Sequence, residues 1–360
     1  MSTRTDDLRI RSTQEVIPPA QLCAEVPISE RAARTVAGTR VAIQDILNGG
    51  DDRLLVITGP CSIHDTDAAR EYAGKLKTLI NELSEDLLIV MRVYFEKPRT
   101  TVGWKGLIND PGLDESFRIN DGLRVARRLL VDLNEMGVAT GTEFLDPISP
   151  QYIADLVAWG AIGARTTESQ VHRELASGLS CPIGFKNSTD GSLQVAIDAV
   201  KAASHPHHFL GVTKQGHSAI LATSGNPDCH VILRGGSRRP NFDAASVDDA
   251  AGKLARAGLR PLLCIDCSHA NSEKSHERQV EVGHDVARQV AAGEARIFAV
   301  MLESHLVGGR QDLKPGKPLI YGQSITDACM SWADTEPLLR EFASAARARR
   351  LQAQMQSATG

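Results

Sequence analysis

The sequence predicts a (β/α)8 barrel of the TIM type, carrying an N-terminal extension and an inserted β-hairpin. Three features lead there. Eight short apolar runs recur along the chain, at residues 54–58, 88–92, 138–143, 161–165, 182–186, 230–234, 262–266 and 297–303. Runs that stay apolar on successive residues suit strands buried on both faces, as in a parallel sheet. Between them lie longer segments with apolar residues three and four apart, the signature of one helix face. Eight such units in about 300 residues favour a closed barrel over an open doubly wound sheet.

Residues 1–50 precede the first run and form the extension, with a regulatory or assembly role expected of it. Asp65 is placed to cap a helix bearing Ala69, Tyr72, Ala73, Leu76, Leu79, Ile80 and Leu83. Ser149 before Pro150 signals another helix start, and Thr189 or Asp190 a third, leading into Leu193, Ala196, Ile197 and Val200. Residues 208–223 alternate like a hairpin, with Gln215-Gly216 at its turn. Asp334 opens the last helix, and 351–360 reads as a tail. The barrel spans 51–350 as one domain.

With 42% hydrophobic and 23% charged residues among 360, the composition is that of an ordinary globular chain. A net charge of −4 gives no general pull toward nucleic acid or an anionic membrane. The N-terminus lacks an apolar signal core and no run reaches membrane-spanning length. The seven cysteines are odd in number and scattered, and Cys264 and Cys267 sit in a strand-like run that turns them to opposite faces. A reduced, cytoplasmic setting is expected.

In such barrels the active site lies past the C-terminal ends of the strands. Those places hold Cys61, Arg92, Lys97, Arg99, Glu143, Arg165, Lys186, Arg234, His269 and Glu303, with Asp327 in a polar loop before the final helix. Cys61, His269, Glu303 and Asp327 would make a borderline-soft site for Mn, Fe, Co, Zn or Cu rather than Mg or Ca. Taken singly, these are a small buried Cys, a loop His and two solvated carboxylates. The cations Arg92, Lys97, Arg99, Arg165, Lys186 and Arg234 could each be a strand end reaching for water. Six at one mouth repel one another unless an anion sits among them, and Arg forks match phosphate and carboxylate. A phosphorylated ligand is expected. His64 and His172 read as ordinary surface or helix-start residues, and Arg347–Arg350 as a solvated helix end.

Long motifs add a family likeness. Residues 59–65 (GPCSIHD), 91–106 (MRVYFEKPRTTVGWKG), 160–169 (GAIGARTTES), 184–187 (GFKN), 233–236 (LRGG), 266–269 (DCSH) and 324–329 (SITDAC) resemble the class I 3-deoxy-D-arabino-heptulosonate-7-phosphate (DAHP) synthases of the microbial, aromatic-regulated type. The likeness runs from about residue 6 to 350; the stretch Ser237-Arg238-Arg239-Pro240 departs from it by one extra residue, with Phe242 where Tyr is frequent. The resemblance implies a metal-dependent condensation of phosphoenolpyruvate with erythrose 4-phosphate. It implies Cys61, His269, Glu303 and Asp327 as ligands of one divalent ion per subunit, Mn favoured, with Fe, Co or Zn as alternatives. Arg92, Arg165, Lys186 and Arg234 would hold phosphoenolpyruvate. Lys97, Pro98, Arg99 and Thr100 would take erythrose 4-phosphate, beside Asp327. Lys97 is the expected proton donor to the aldehyde oxygen, Glu143 and Lys186 would place water, and His269 joins them as a catalytic residue.

The resemblance also implies a homodimer or homotetramer inhibited by an aromatic amino acid. The effector would bind among Pro150, Gln151, Leu175, Leu179, Ser180, Phe209, Gly211 and Leu221, with Asp6 and Asp7 of a neighbouring chain on its ammonium. Glycine at 211 favours tyrosine, then tryptophan, then phenylalanine, because a missing side chain leaves room for a phenolic hydroxyl. The rivals are a 3-deoxy-octulosonate 8-phosphate synthase, against which the Lys97–Thr100 stretch speaks, and a non-catalytic regulatory homologue, which would have lost a ligand.

Overall fold

The computed structural model describes residues 3–99, 101–314 and 316–359, with side chains as far as Met355. The extension supplies α1 (Pro19–Glu25) and α2 (Glu30–Asn48), and the first unit is β1 (Leu54–Gly59) with α3 (Thr66–Glu82). Then come β2 (Leu87–Arg92), α4 (Ile119–Glu135), β3 (Thr140–Glu143), the short α5 (Pro150–Ile153), β4 (Trp159–Ile162), α6 (Gln170–Gly178), β5 (Ile183–Lys186) and α7 (Gln194–Ala203). The hairpin is β6 (His208–Val212) with β7 (Ser218–Ala222). The barrel resumes with β8 (His230–Leu233), α8 (Ala244–Arg256), β9 (Leu263–Asp266), α9 (His276–Ala291) and β10 (Ile297–Glu303). After the short β11 (Val307–Arg310) and β12 (Gln323–Ser324), α10 (Trp332–Thr359) carries residues 351–359 in its last turns.

The strands close in the order β1-β10-β9-β8-β5-β4-β3-β2, every pair parallel. This is the (β/α)8 barrel the apolar runs predict. Side chains alternate along each strand. Leu54 and Val56 therefore join the layer between strands and helices, while Leu55 and Ile57 fill the interior with Val90, Trp159, Ile232 and Met301. The interior layer also takes Val36, Ile43, Ile46 and Leu47 of α2. The extension thus closes one end of the barrel, and Arg40 bonds the carbonyls of Ala154 and Val157.

Asp65 caps α3 as its position suggests, accepting from the amides of Asp67 and Ala68. Other boundaries move. The fourth strand lies at 159–162 rather than 161–165, because Gly163 to Thr167 turn back in hydrogen-bonded loops, which leaves Arg165 exposed beyond the strand. α7 starts at Gln194, after a turn in which Asp190 accepts from Ser188 and Ser192. Ser149 makes no side-chain cap on α5. The basic end of α10 is only partly solvated: Arg347, still exposed, and the half-buried Arg350 both pair with the buried Asp86, and Arg350 also with Asp52.

Candidate active site

Gly59 ends β1 at φ 152°, where a Cβ would lie 2.8 Å from the Arg92 carbonyl oxygen. Only glycine lets the chain approach so closely. The next residues, Pro60 and Cys61, are thereby laid against β2. Cys61, Glu303 from the end of β10 and Asp327 offer ligand atoms within 4.8 Å of one another. Cys61 and Glu303 are fully buried. His269 stands beside them, its Nε2 3.7 Å from Glu303 Oε1, without entering that mutual grouping among the described residues. It is held at φ 56° in the loop after β9, with Nδ1 2.9 Å from Asp266 Oδ2. A thiol, a carboxylate pair and an adjacent imidazole suit a borderline transition metal, so the set fits a divalent ion.

The electrostatics of this floor are shared between opposite charges. Burial, together with Glu303, pushes the Cys61 thiol up to about 11, against the pull of Lys97. Lys97 Nζ lies 3.1 Å from Cys61 Sγ and 3.2 Å from its carbonyl oxygen. Burial alone would lower the Lys97 ammonium, yet Cys61 and Glu303 hold it above its ordinary value. Glu303 is also buried, but His269, Arg92 and Lys97 bring it down to about 2. The Arg92 guanidinium reaches Glu303 Oε1 at 3.1 Å and lies over the Tyr94 ring at 3.9 Å. Lys186 donates to Asp266 Oδ2 at 2.9 Å.

Above the floor opens a cavity of about 240 Å³. Lys97, Pro98, Arg99, Glu143, Arg165, Lys186, Arg234, His269 and Asp327 all line it. Three buried polar atoms of its lining make no hydrogen bond in the protein, Glu143 Oε1, Arg234 Nε and His269 Nδ1, the last within ion-pair distance of Asp266. Burial lowers the Arg234 guanidinium, the cost of holding a cation where only a ligand could satisfy it. Arg92 sits beneath, joined through Glu303 and Cys61. Thr100 lies outside the described residues. One lining cation escaped the sequence reading: Lys274, on a loop whose Glu273 and Lys274 have φ of 51° and 64°. An exposed lysine without periodic context carries no signal of its own.

A second cavity, of about 790 Å³, lies under the hairpin. Pro150, Gln151, Leu175, Leu179, Ser180, Phe209, Gly211 and Leu221 all line it, together with Arg40, Asp155 and Lys214, which the sequence did not single out. Asp6 and Asp7 do not line this chain's own cavity; they lie exposed beside Arg4. His172 is a structural link, bonding Ser169 Oγ and the Leu145 carbonyl.

The sequence model of the DAHP synthetase I family matches residues 25–340. The chain belongs to that family. It is a DAHP synthase of the shikimate pathway. It is similar to the Phe-sensitive phospho-2-dehydro-3-deoxyheptonate aldolase of Escherichia coli K12, with 61% identity over 97% of this chain and 100% of that protein. It shares 52% identity with the tyrosine-inhibited enzyme of Schizosaccharomyces pombe, over 96% of this chain and 94% of that one. The solved phospho-2-dehydro-3-deoxyheptonate aldolase of Francisella tularensis SCHU S4 superposes with a TM-score of 0.92 at 54% identity, covering 94% of this chain and 99% of that one. Among the described residues of the synthase, no helix is long and apolar enough to cross a membrane.

Proposed function

We propose that the synthase is metal-dependent and joins phosphoenolpyruvate to erythrose 4-phosphate in the 240 Å³ cavity, under feedback control by tyrosine. The observation that carries the catalytic half is the overlap of one possible metal cluster with one cation-lined cavity, sharing Asp327. Cys61, Glu303, Asp327 and His269 would hold one divalent ion, Mn in preference to Fe, Co or Zn. Bound there, such an ion supplies Lewis acidity toward the aldehyde oxygen.

The chain's own residues do the rest. Arg92, Arg165, Lys186 and Arg234 hold the phosphate and carboxylate of phosphoenolpyruvate, the fork geometry of arginine matching both. Pro98, Arg99 and Thr100 take erythrose 4-phosphate, with Asp327 beside them. The arginines and lysines lining the cavity offset the repulsion between the two anionic substrates as they are brought together, before any bond forms. Lys97, kept protonated by its neighbours, donates a proton to the aldehyde oxygen as the new carbon–carbon bond closes. Glu143, whose free Oε1 points into the cavity, places the water that attacks C2 with Lys186. Loss of phosphate completes the turnover. A reduced cytoplasmic setting suits seven free cysteines.

The effector reading rests on the second cavity. A Cβ on Gly211 would meet Leu221 Cδ1 at 2.4 Å, and Leu221 lines that cavity. Any side chain at 211 therefore pushes Leu221 aside and alters the space for an aromatic ring. Among its relatives the E. coli enzyme is Phe-sensitive and the S. pombe enzyme tyrosine-inhibited, and the volume at residue 211 supports tyrosine for this chain. Asp6 and Asp7 of a neighbouring subunit would take the ligand's ammonium. The exposed apolar Leu8, Ile10, Leu210 and Ile220 favour a dimer or tetramer.

The test is a turnover assay with erythrose 4-phosphate or arabinose 5-phosphate, with chelator and after Mn readdition, followed by titration with each aromatic amino acid. Activity on erythrose 4-phosphate that chelation abolishes and Mn restores is expected, with tyrosine the strongest inhibitor and Gly211→Ser shifting the preference toward phenylalanine. Undiminished turnover in chelator, or phenylalanine outdoing tyrosine on the native enzyme, would overturn the corresponding half.

A further inference from the structure

β10 outruns its neighbour in the barrel. Its last partner on β9 is Asp266, opposite Met301, and Glu303 stands beyond that pair at the end of the strand. The Met301 carbonyl accepts from the Cys267 amide, so it faces the β9 side. Strand backbone groups on alternate residues face the same neighbour. The amide and carbonyl of Glu303 therefore face the space that β9 has left. Buried backbone groups there need a partner. The side chain of Gln279, on α9, supplies it: Oε1 accepts from the Glu303 amide at 2.7 Å, and Nε2 donates to the Glu303 carbonyl at 2.9 Å. A carboxamide carries the same donor and acceptor as a peptide group, so Gln279 stands in for the missing strand.

Nothing else about α9 calls for an amide at that place. Gln279 shares its buried face with Val282, Val286 and Val290, where an unbonded polar group would be costly. The Glu303 side chain is held as closely as its backbone. Ser268 Oγ donates to Oε2 at 2.8 Å, and the Arg92 guanidinium reaches Oε1 at 3.1 Å. The last torsion of a glutamate is broad, with no deep staggered wells of its own. One donor on each oxygen sets the plane of the carboxylate. Ser268 is itself buried and fixed, its amide donating to Asp266 Oδ1 at 3.0 Å.

We infer that Ser268 and Gln279 are positioning residues that hold Glu303 in its ligating orientation before a metal ion arrives. Gln279 fixes the backbone and Ser268 fixes the carboxylate plane. The inference rests on the metal reading above. Arg92 cannot do this alone, since it holds only one of the two oxygens. A ligand already ordered gives up little freedom on binding, and that shows as affinity.

The experiment titrates metal-free, full-length enzyme with Mn in the absence of substrate, reading free Mn by electron paramagnetic resonance. Ser268→Ala and Gln279→Met should each raise the Kd for Mn about tenfold to a hundredfold, the range seen when partners of a metal ligand are removed. Gln289→Met is the control: it lies on the same helix, its amide bonds the Phe242 carbonyl, and its Kd should be native. With Mn saturating, kcat and both KM values of Ser268→Ala should return to within about twofold of native, because only the loading step has been weakened. Should Gln279→Met lose the native far-UV spectrum, Ser268→Ala decides.

A native Kd for Ser268→Ala would overturn the inference. So would turnover that stays depressed at saturating Mn with both KM values raised, since that marks general loosening of the site. The native titration separates the two readings. If the native enzyme binds no Mn, the metal reading fails and takes this inference with it; tight native binding with no change in Ser268→Ala overturns the inference alone.

Discussion

Asp266→Asn tests how the buried cations of this site are held before substrate arrives. Asp266 ends β9 fully buried, with Oδ2 2.9 Å from both Lys186 Nζ and His269 Nδ1, and Oδ1 accepting from the Ser268 amide at 3.0 Å. Burial would raise its carboxyl, but His269 and Lys186 hold it well below the usual carboxylate range. The substitution keeps the shape and removes the charge. Lys186, itself buried, then lacks its anion, and the amide cannot accept from Lys186, His269 and Ser268 together. Breaking a buried pair from one side costs about 3–5 kcal/mol. Neutral hydrogen bonding by the amide returns about 1 kcal/mol, so the expected loss is about 2–4 kcal/mol by urea denaturation at pH 7 without substrate. A carboxyl with a depressed folded value stabilises above its unfolded value and loses that contribution as pH falls through the folded one. The gap between the two proteins should therefore be flat across pH 5–8 and shrink below about pH 4. Saturating phosphoenolpyruvate should narrow it too, by giving Lys186 another anion. A loss under about 1 kcal/mol, or a gap that widens as pH falls, would refute this account.

Two further outcomes follow from the same geometry. At Gly163 a Cβ would lie 2.3 Å from Glu143 Oε1, so Gly163→Ala should displace Glu143 and lower kcat/KM at least about tenfold; steady-state kinetics with a native far-UV spectrum would check it, and unchanged turnover would remove Glu143 from the mechanism. Because burial pushes the Cys61 thiol up to about 11 even beside Lys97, Mn loading near pH 7 should release about one proton from it, measured by calorimetry in two buffers of different ionisation enthalpy, and proton-free loading would rule out thiolate ligation.

Much of the barrel is legible in the sequence because its strands are buried on both faces, which leaves apolar runs such as 54–58 and 297–303 with no competing interpretation. The strand-end cations are legible for the same reason: Arg92, Lys186 and Arg234 interrupt apolar stretches at the places where a barrel exposes its rim. What stays hidden depends on contacts distant in sequence. α2 has the pattern of any amphipathic helix, and only closure of the barrel shows that its apolar face plugs the interior. Arg347 and Arg350 look solvated until Asp86, more than 250 residues earlier, is brought beneath them. Ser149 carries a genuine helix-start signal, yet its hydroxyl donates to a buried carboxyl and accepts from no helix amide. Lys274 owes its place to left-handed backbone at non-glycine residues, which no residue pattern announces.

Five of the cations in and beneath the catalytic cavity divide into two tiers, with Arg234 and Lys274 outside them, and the division makes a last prediction. Arg92, Lys97 and Lys186 are buried and already engaged, with Glu303, Cys61 and Asp266 respectively. Arg99 and Arg165 are exposed and have no carboxylate partner among the described residues. The inner tier is fixed in place before substrate binds, so it can stabilise developing charge without reorganising. The outer tier faces water, where charge attracts at a distance but is screened by salt, with a Debye length of about 10 Å at 0.1 M. Arg165→Ala should therefore raise the KM for phosphoenolpyruvate about tenfold while kcat changes little. It should also flatten the dependence of kcat/KM on ionic strength between about 0.05 and 0.5 M, because one screened attraction is gone. Lys186→Met should do the reverse, lowering kcat with the native salt dependence retained. Kinetics at five or six salt concentrations on all three proteins decide it. Equal salt slopes for the native enzyme and Arg165→Ala would show that the exposed arginine adds no long-range attraction and that the two tiers are one.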